Sequence, residues 1–447
     1  MLDKLSDAFG ECRDFLAHRR CYLACSGGRD SLALAFACKL LYEQGKIDSL
    51  PTILHIHHGW QCANDDWAKL VADWAVDNGF DCHVQRISLT HANETNAREC
   101  RYQAMLYVMN DGDVLMLGHH AVDQAETLLM RLIDGAGVRG LSAMRTWQKK
   151  HDGHKAVWLW RPLLHTDRKS ISRFAKECQL PYVDDPTNTD DAHVRGKLRN
   201  HVLPIFEQIN PKMIQNIARS SQLLADADDM VQMLIDDKLS ESNVKQLGCR
   251  SNVQVLSVDK VVRLPKSVQS ALIHRWLAVG EPVPPAHRLI HDILQLIHRQ
   301  DTNHQTRLFW QGVSAYVICY YQGYLYRYRQ PVWDCLMLPA QSCNGLISSG
   351  KVVLKTLADV SLVWQVPDGL HGVPLQVVAW DRQMSIPFGG RQLSGKKFMQ
   401  TLGLAAWLRQ SVWVVYATGR PVLLVSVNRA WRLDTASEMA GVGAYFA

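Results

Sequence analysis

The chain has 447 residues, enough for two or three domains that each bury a core. Its 47% hydrophobic and 21% charged content is that of a soluble globular protein, no apolar run reaches membrane-spanning length, and the N-terminal MLDKLSDAFG has neither basic leader nor apolar signal core, so a cytoplasmic chain with no membrane partner is expected. The 12 cysteines include no CxxC, which argues against a disulfide framework or zinc ribbon, and a net charge of +6 permits a nucleic-acid partner without requiring one.

The first element in chain order is a short buried strand over Tyr22 to Cys25. Ser26, Gly27, Gly28, Arg29, Asp30 and Ser31 follow, and from Ser31 onward Leu32, Phe36 and Leu40 recur at helical spacing. Both glycines permit positive φ and close approach by a phosphate. A helix start supplies unpaired N–H groups and the positive end of the dipole, and Ser26 and Ser31 add hydroxyl donors. Asp30 suits a Mg2+ that bridges phosphates, or a helix cap. The segment is not a Walker A loop, because the four-residue spacer and the Gly-Lys are missing. ATP is the expected ligand.

TILHIHH then reads as a strand, followed by a helix that carries Trp67, Leu70, Val71 and Trp74. No carboxylate or cysteine completes a zinc site around HIHHGW. The loop, with His57, is expected near the adenine and Trp67 in the helix core. CHVQRI is the third strand, and the helix from about Glu94 sets Arg98 and Arg101 three apart, able to clamp phosphate or a nucleic-acid backbone. VLMLGHH is the fourth, with a helix from about Asp123. There Asp123 and Glu126 share a face, fit to hold Mg2+ or act on protons, or merely to cap the helix. His119 and His120, just past the strand, can contact a phosphate or a reacting base.

Four strand-plus-helix units imply an α/β domain with a doubly wound parallel sheet. Ligands bind beyond the carboxyl ends of such strands, where SGGRDS, HIHHG and GHHAVDQ all lie. Arg161, Asp184, Asp185 and Asn188 occupy loops farther on, the acids before Pro186 suiting a turn. Asn210-Pro211 then caps a helix with Met213, Ile214 and Ile217 on its apolar face, and helical signals run to about Arg299. Arg307 to Arg329 reads as a hairpin, and the chain from about Val332 is strand-rich. Three domains are expected: 1–210 catalytic, 211–334 mainly helical, and 335–447 a smaller α+β domain.

SGGxDS after a strand resembles the PP-loop, or N-type, ATP pyrophosphatases. The wider set of motifs resembles one family within it, the tRNA(Ile)-lysidine synthetases: SGGRDS, HIHHG with NDDW, the arginine helix ending RYQAM, GHHAVDQAETLLMRLIDGAGVRGLSAM, RPLL, and VDDPTNTDD followed by RGKLRNHVLP. Beyond residue 210 the likeness is carried by GKKFMQTLGLAAWLR, with Lys396, Lys397, Trp407 and Arg409. One departure is Arg195-Gly196, where the family usually has Arg-Asn.

The resemblance implies a two-step ligation in which ATP adenylates the 2-carbonyl oxygen of the wobble cytidine of tRNA(Ile) with a CAU anticodon, and free L-lysine then displaces AMP. It implies Asp30, Asp123, Glu126 and Arg98 as catalytic residues, with Asp30 on Mg2+. Ser26, Gly27, Gly28, Arg29, Asp30, Ser31, His57 and His119 would bind nucleotide, and Arg101, Arg195, Arg199, Lys396 and Lys397 the tRNA. A homodimer is left open. The competing readings are a tRNA-thiolating enzyme, for which a CxxC is missing, a PP-loop enzyme acting on a small metabolite, and a non-catalytic tRNA-binding protein on an ATP-fold scaffold.

Overall fold

The computed structural model describes all residues except 58–62, 88–93, 153–154, 184–190, 192, 243–252, 282–284, 300–305, 440–441 and 447. The chain divides into two compact units, 1–231 and 232–447. No helix among the described residues is long and apolar enough to cross a membrane.

The first unit is built on a six-stranded sheet. Its strands are β1 (Cys21–Ala24), β2 (Thr52–His57), β3 (Cys82–Arg86), β4 (Val114–Met116), β5 (Trp147–Asp152) and β6 (Lys155–Trp160), in the order β3-β2-β1-β4-β6-β5. All neighbours run parallel except β5 and β6. The reversal of order at β1 and β4 opens a crevice at the carboxyl edge. Register explains why the central strands β1 and β4 are apolar along their whole length. Leu23 lies opposite Ile53 and Met116, and these point into one core, while Tyr22, Leu54 and Leu115 point into the other. Such two-sided burial is the mark of a covered parallel sheet.

Helices α1 (Leu2–Glu11), α2 (Arg29–Glu43) and α3 (Ala63–Asp77) supply the first core, and α4 (Glu94–Val108) supplies Tyr102, Met105 and Leu106 to the second. The antiparallel β5–β6 hairpin, which sequence periodicity did not separate from its surroundings, is pinned by aromatic packing. Trp147 and Trp160 stack with centroids 4.9 Å apart, and Phe9 meets Trp160 edge-on at 4.8 Å. Helix α5 (Ala121–Ile133) follows β4, and α6 (Val138–Leu141), a single turn, closes the glycine-rich loop. Arg131 fixes that loop by donating to the carbonyls of Gly140 and Ala143. Helix α7 (Arg168–Glu177) is capped by Asp167, which accepts from the Ser170 N–H at 2.8 Å.

The stretch read as a break before Pro211 contains short helical runs at Val194–Lys197, Leu198–Val202 and Leu203–Ile209. A long helix, α8 (Met213–Ser242), spans the division between the units.

In the second unit, β7 (Val253–Ser257), β8 (Arg307–Gln311), β9 (Ala315–Tyr321) and β10 (Tyr324–Arg329) form a sheet in the order β7-β10-β9-β8. The hairpin expected over Arg307 to Arg329 is thus a three-stranded meander, because Gly312 turns β8 into β9 and Gly323, at φ +80°, turns β9 into β10. β7 adds a fourth strand, interrupting the run that periodicity assigned wholly to helices. α9 (Lys266–Ala278) and α10 (His287–Ile297) pack on this sheet through Trp276, Ile273 and Ile293. Beyond residue 340 a second six-stranded sheet is centred on Val412–Ala417 and Arg420–Ser426, with Trp364, Trp413 and Phe446 fully buried.

Candidate active site

β1 delivers the chain into its turn through Cys25, whose N–H donates to the Leu54 carbonyl at 2.9 Å. Gly27 has φ +84°, the left-handed region that favours glycine, and a Cβ there would sit 3.1 Å from Val71 Cγ2. Gly28 differs from expectation. Its φ is −76°, and it serves as the residue that opens α2 at Arg29, two positions before the expected start. The turn closes on Ser31, whose hydroxyl donates to the Gly28 carbonyl at 2.9 Å and accepts from the Ser26 N–H at 3.3 Å. The first N–H groups of α2 therefore face an open space beside small side chains.

β4 passes beside this turn, and a Cβ on Gly118 would lie 3.1 Å from the Asp30 carbonyl oxygen, so glycine permits the close approach. His119 and His120 follow. His120 caps α5, its Nδ1 accepting from the Val122 N–H at 3.2 Å, while Asp123 accepts from the His120 N–H at 2.9 Å. Asp123 is both the returning acid of a capping box and a cleft residue. His120 Nε2 lies 3.5 Å from Asp30, and Arg29 Nε lies 3.1 Å from the other Asp30 oxygen. Burial works against the Asp30 carboxylate, but His120 and Arg29 outweigh it and hold its pKa at about 2.

The two histidines are driven in opposite directions. Burial pushes His119 down to about 4, with help from the charges of Arg161, Arg98 and Arg195 and against the pull of Asp123. Burial also opposes charge on His120, yet its hydrogen bond to Asp30 and the charges of Asp123 and Asp30 raise its pKa.

Glu126 is fully buried and does not line the cleft. Arg199 grips it with two hydrogen bonds of 2.7 and 3.0 Å, and Arg195 Nε stands 3.4 Å away as an ion pair without hydrogen-bond alignment. Burial raises the Glu126 carboxyl pKa, and the Arg199 fork pulls it back.

These elements enclose one cavity of about 440 Å3 at the carboxyl edge of the sheet, within the range of nucleotide-sized pockets. Ser26, Gly28, Arg29, Asp30 and Ser31 line it from the turn. His57, His119, Asp123, Arg98, Arg101, Arg195 and Arg199 line its other walls. Gly27 shapes the turn from behind. His57 is held by Asp65 at 3.1 Å, and Asp65 is also bound by Arg86. Trp67, expected in the helix core, is only half-buried and borders the cavity, because α3 starts beside the turn. Arg168 and Tyr102 are cavity residues that sequence reading did not assign a role. The signal for Arg168 was its place just after the Asp167 cap, which puts it at a helix start facing the sheet edge. His58, Gly59, Trp60, Asp184, Asp185 and Asn188 lie outside the described residues. Lys396 and Lys397 fall on the helix Gly395–Thr401, with their side chains outside what is described.

Residues 2–206 match a family model described as a PP-loop domain, and residues 256–326 one described as the TilS substrate binding domain. A tRNA(Ile)-lysidine synthase from a Psychrobacter species is 34% identical over 96% of this chain and 94% of its own length. Proteins of the same description from Vibrio cholerae and Escherichia coli are each 28% identical, over 92% and 89% of this chain and 92% and 90% of their own.

Proposed function

The chain belongs to the tRNA(Ile)-lysidine synthase family, and from that premise we propose that it joins free lysine to C2 of the wobble cytidine of a CAU-anticodon tRNA(Ile) in the cleft at the β1–β4 edge. It is an ATP-using, tRNA-modifying ligase with a PP-loop domain. What carries the finer reading is one cavity that joins a phosphate-type turn, two carboxylates and six arginines.

The chemistry explains the need for each part. The cytidine O2 attacks the α-phosphorus of ATP, the bond to pyrophosphate breaks, and O2 becomes an AMP ester able to leave. The lysine amine then attacks C2, the C2–O bond breaks, and AMP departs. An amine of unperturbed pKa about 10.4 must shed a proton to attack, and a carboxylate is the nearest acceptor type. We assign substrate positioning to Asp123, the half-buried, cleft-lining carboxylate of the α5 start. Glu126 acts behind it by fixing Arg199 and Arg195 at the cleft wall. The α2 N–H groups, with Ser26, Ser31 and Arg29, hold phosphate oxygens, and His57 lies toward the base. Arg98 and Arg101, with Lys396 and Lys397 of the second unit, are assigned to the tRNA backbone or reacting phosphate. The work is done where tRNA is, in the cytoplasm.

Asp30 fits Mg2+. Its carboxylate is ionised, borders the cleft and stands beside the phosphate turn, and among the described residues no group of three or more His, Cys, Asp or Glu forms a dedicated metal cage. Mg2+ favours one or two carboxylates completed by phosphate oxygens and water, and when bound it offsets phosphate charge.

Thiolation finds no support in the cleft cysteine. Cys25 is buried, its thiol pushed up by burial and engaged with Ser31 at 3.6 Å, the reverse of a reactive thiolate. Incubation with ATP, tRNA transcript and labelled lysine tests the assignment. Label in acid-precipitable RNA is the expected result, and activity only with a sulfur donor overturns it. Asp123→Asn is expected to lose lysine transfer by about 10²-fold or more while tRNA still binds, checked by filter binding beside the transfer assay. Normal transfer in that variant removes Asp123 from the assignment.

A further inference from the structure

Arg161 is buried to 2% exposure, and its side chain is tied to strand β5, to the segment before it, to Tyr102 of α4 and to His119. Nη1 donates to the Arg145 carbonyl at 2.8 Å, Nη2 to Gln148 Oε1 at 3.2 Å, and Nε to His119 Nδ1 at 3.3 Å. The last contact has a consequence for proton location. A guanidinium carries donors and no acceptor, so a nitrogen facing it can only accept. His119 Nδ1 must then hold a lone pair, and the imidazole's single remaining proton is on Nε2. The ring borders the cavity, between the phosphate turn and Asp123.

We propose that Arg161 is a positioning residue that fixes His119 as the neutral imidazole protonated on Nε2, so that His119 gives a hydrogen bond to an anionic oxygen of the bound nucleotide and does not serve as a base. This assignment rests on the reading of the cavity as the adenylation site. It divides labour between adjacent histidines. His120 is held at Nε2 by Asp30 and at Nδ1 by the Val122 N–H, whereas at His119 the charges of Arg161, Arg98 and Arg195 act with burial against the pull of Asp123 to keep the ring neutral. A fixed neutral donor meets negative charge as it develops and needs no reorganisation during the reaction. A proton on Nε2 and a guanidinium on Nδ1 leave His119 no lone pair for the lysine proton. That proton therefore goes to a carboxylate.

The test has a spectroscopic and a kinetic arm. In the full-length protein labelled with ¹⁵N-histidine, His119, identified by its loss in His119→Gln, is expected at pH 7 to show a pyridine-type Nδ1 and a protonated Nε2, with the Nε2 proton shifting on addition of ATP. In Arg161→Gln the two neutral forms are expected to mix. In kinetics, His119→Ala is expected to slow tRNA-dependent pyrophosphate release about 10²-fold, the usual loss of one such donor. His119→Gln, whose amide N–H reaches the Nε2 position, retains most of the rate, and His119→Asn does not. Arg161→Gln is expected to slow the wild-type background about tenfold, as for other groups that orient a ligand from behind. In His119→Gln its effect shrinks.

A proton on Nδ1, or an imidazolium at pH 7, overturns the proposal without any assay of turnover. An Arg161→Gln loss of equal size in both backgrounds also overturns it, because that is the behaviour of a merely structural arginine. The expected tautomer with no ATP-induced shift sinks the nucleotide contact. Failure of lysine transfer with the tautomer and ATP shift intact sinks the ligation reading instead.

Discussion

Glu126 and Arg199 form the most demanding pair in the first unit, a fully buried carboxylate held by a two-pronged guanidinium from seventy-three residues away. Such a pair stabilises little against apolar replacements but costs much when one partner is removed. Arg199→Ala is expected to destabilise the first unit by about 3 kcal/mol in urea unfolding, and Arg199→Ala with Glu126→Leu to recover a large part of it. Equal loss in the single and double variants would show that the arginine acts through packing alone.

The histidines give a pH signature at the same scale. His119, with a folded pKa of about 4, stays neutral while the unfolded chain binds a proton near pH 6.5, so its contribution is fully present above 6.5 and is lost as pH falls toward 4. His120 has the opposite sign: its raised pKa stabilises below 6.5 and the effect is lost as pH rises through the folded value. Asp30, held at about 2 against 3.8 in the unfolded chain, contributes fully above 3.8 and loses that contribution as pH falls toward 2. Between pH 6.5 and 4.5, therefore, His119 is the one of the three whose contribution changes most. Its share of the stability lost is on the order of 2 kcal/mol, and urea midpoints for wild type and His119→Gln are expected to differ in slope over that window.

At the scale of elements, the turn after β1 was legible because every constraint is local: a strand end, glycines, a hydroxyl and a helix start within eleven residues. Gly27 required its backbone freedom, as φ +84° shows, whereas Gly28 at φ −76° did not. Val71, which would stand 3.1 Å from a Cβ at Gly27, adds a second constraint there that no local pattern contains. The same limit hid the separate fates of Asp123 and Glu126. Three-residue spacing places them on one side of α5, but Arg195 and Arg199, brought from a segment that read as a break, decide that one borders the cleft and the other is buried. The meander over β8 to β10 reads as a hairpin because strand number depends on pairing, and β7, the partner of β10, enters from much earlier in the chain, Ser257 lying opposite Tyr324. Gly27→Ala is expected to cost about 1–3 kcal/mol from positive φ, with added pressure on Val71. It should weaken ATP binding more than Gly28→Ala does. Isothermal titration with a nonhydrolysable ATP analogue compares the two, and equal affinities would remove the special role of Gly27.

At the scale of the whole molecule, each unit has its own apolar cores among the described residues: those under the parallel sheet, around α4, and between α5 and α8 are built from residues up to Ala218, and those around Trp276, Trp364 and Phe398 from residues from Ile235 onward. Among the described residues the cleft cavity is lined by the first unit, Ala24 through Arg199. A ligand that binds only the folded form of one unit stabilises that unit by RT ln(1 + [L]/Kd), about 2.7 kcal/mol at a hundredfold excess over Kd. Calorimetry of the full chain with such an excess of a nonhydrolysable ATP analogue and Mg2+ is therefore expected to raise the transition of residues 1–231 by about 2–4 °C and to leave that of residues 232–447 in place. Lys355→Met supplies the marker that tells the transitions apart. Lys355 is buried in the second unit, where its ammonium donates to the carbonyls of Leu336, Leu338 and Gln410 and to Ser411, so its loss should lower only the nucleotide-insensitive transition. A single transition that moves as one with both the analogue and Lys355→Met would mean that the two sets of cores unfold together.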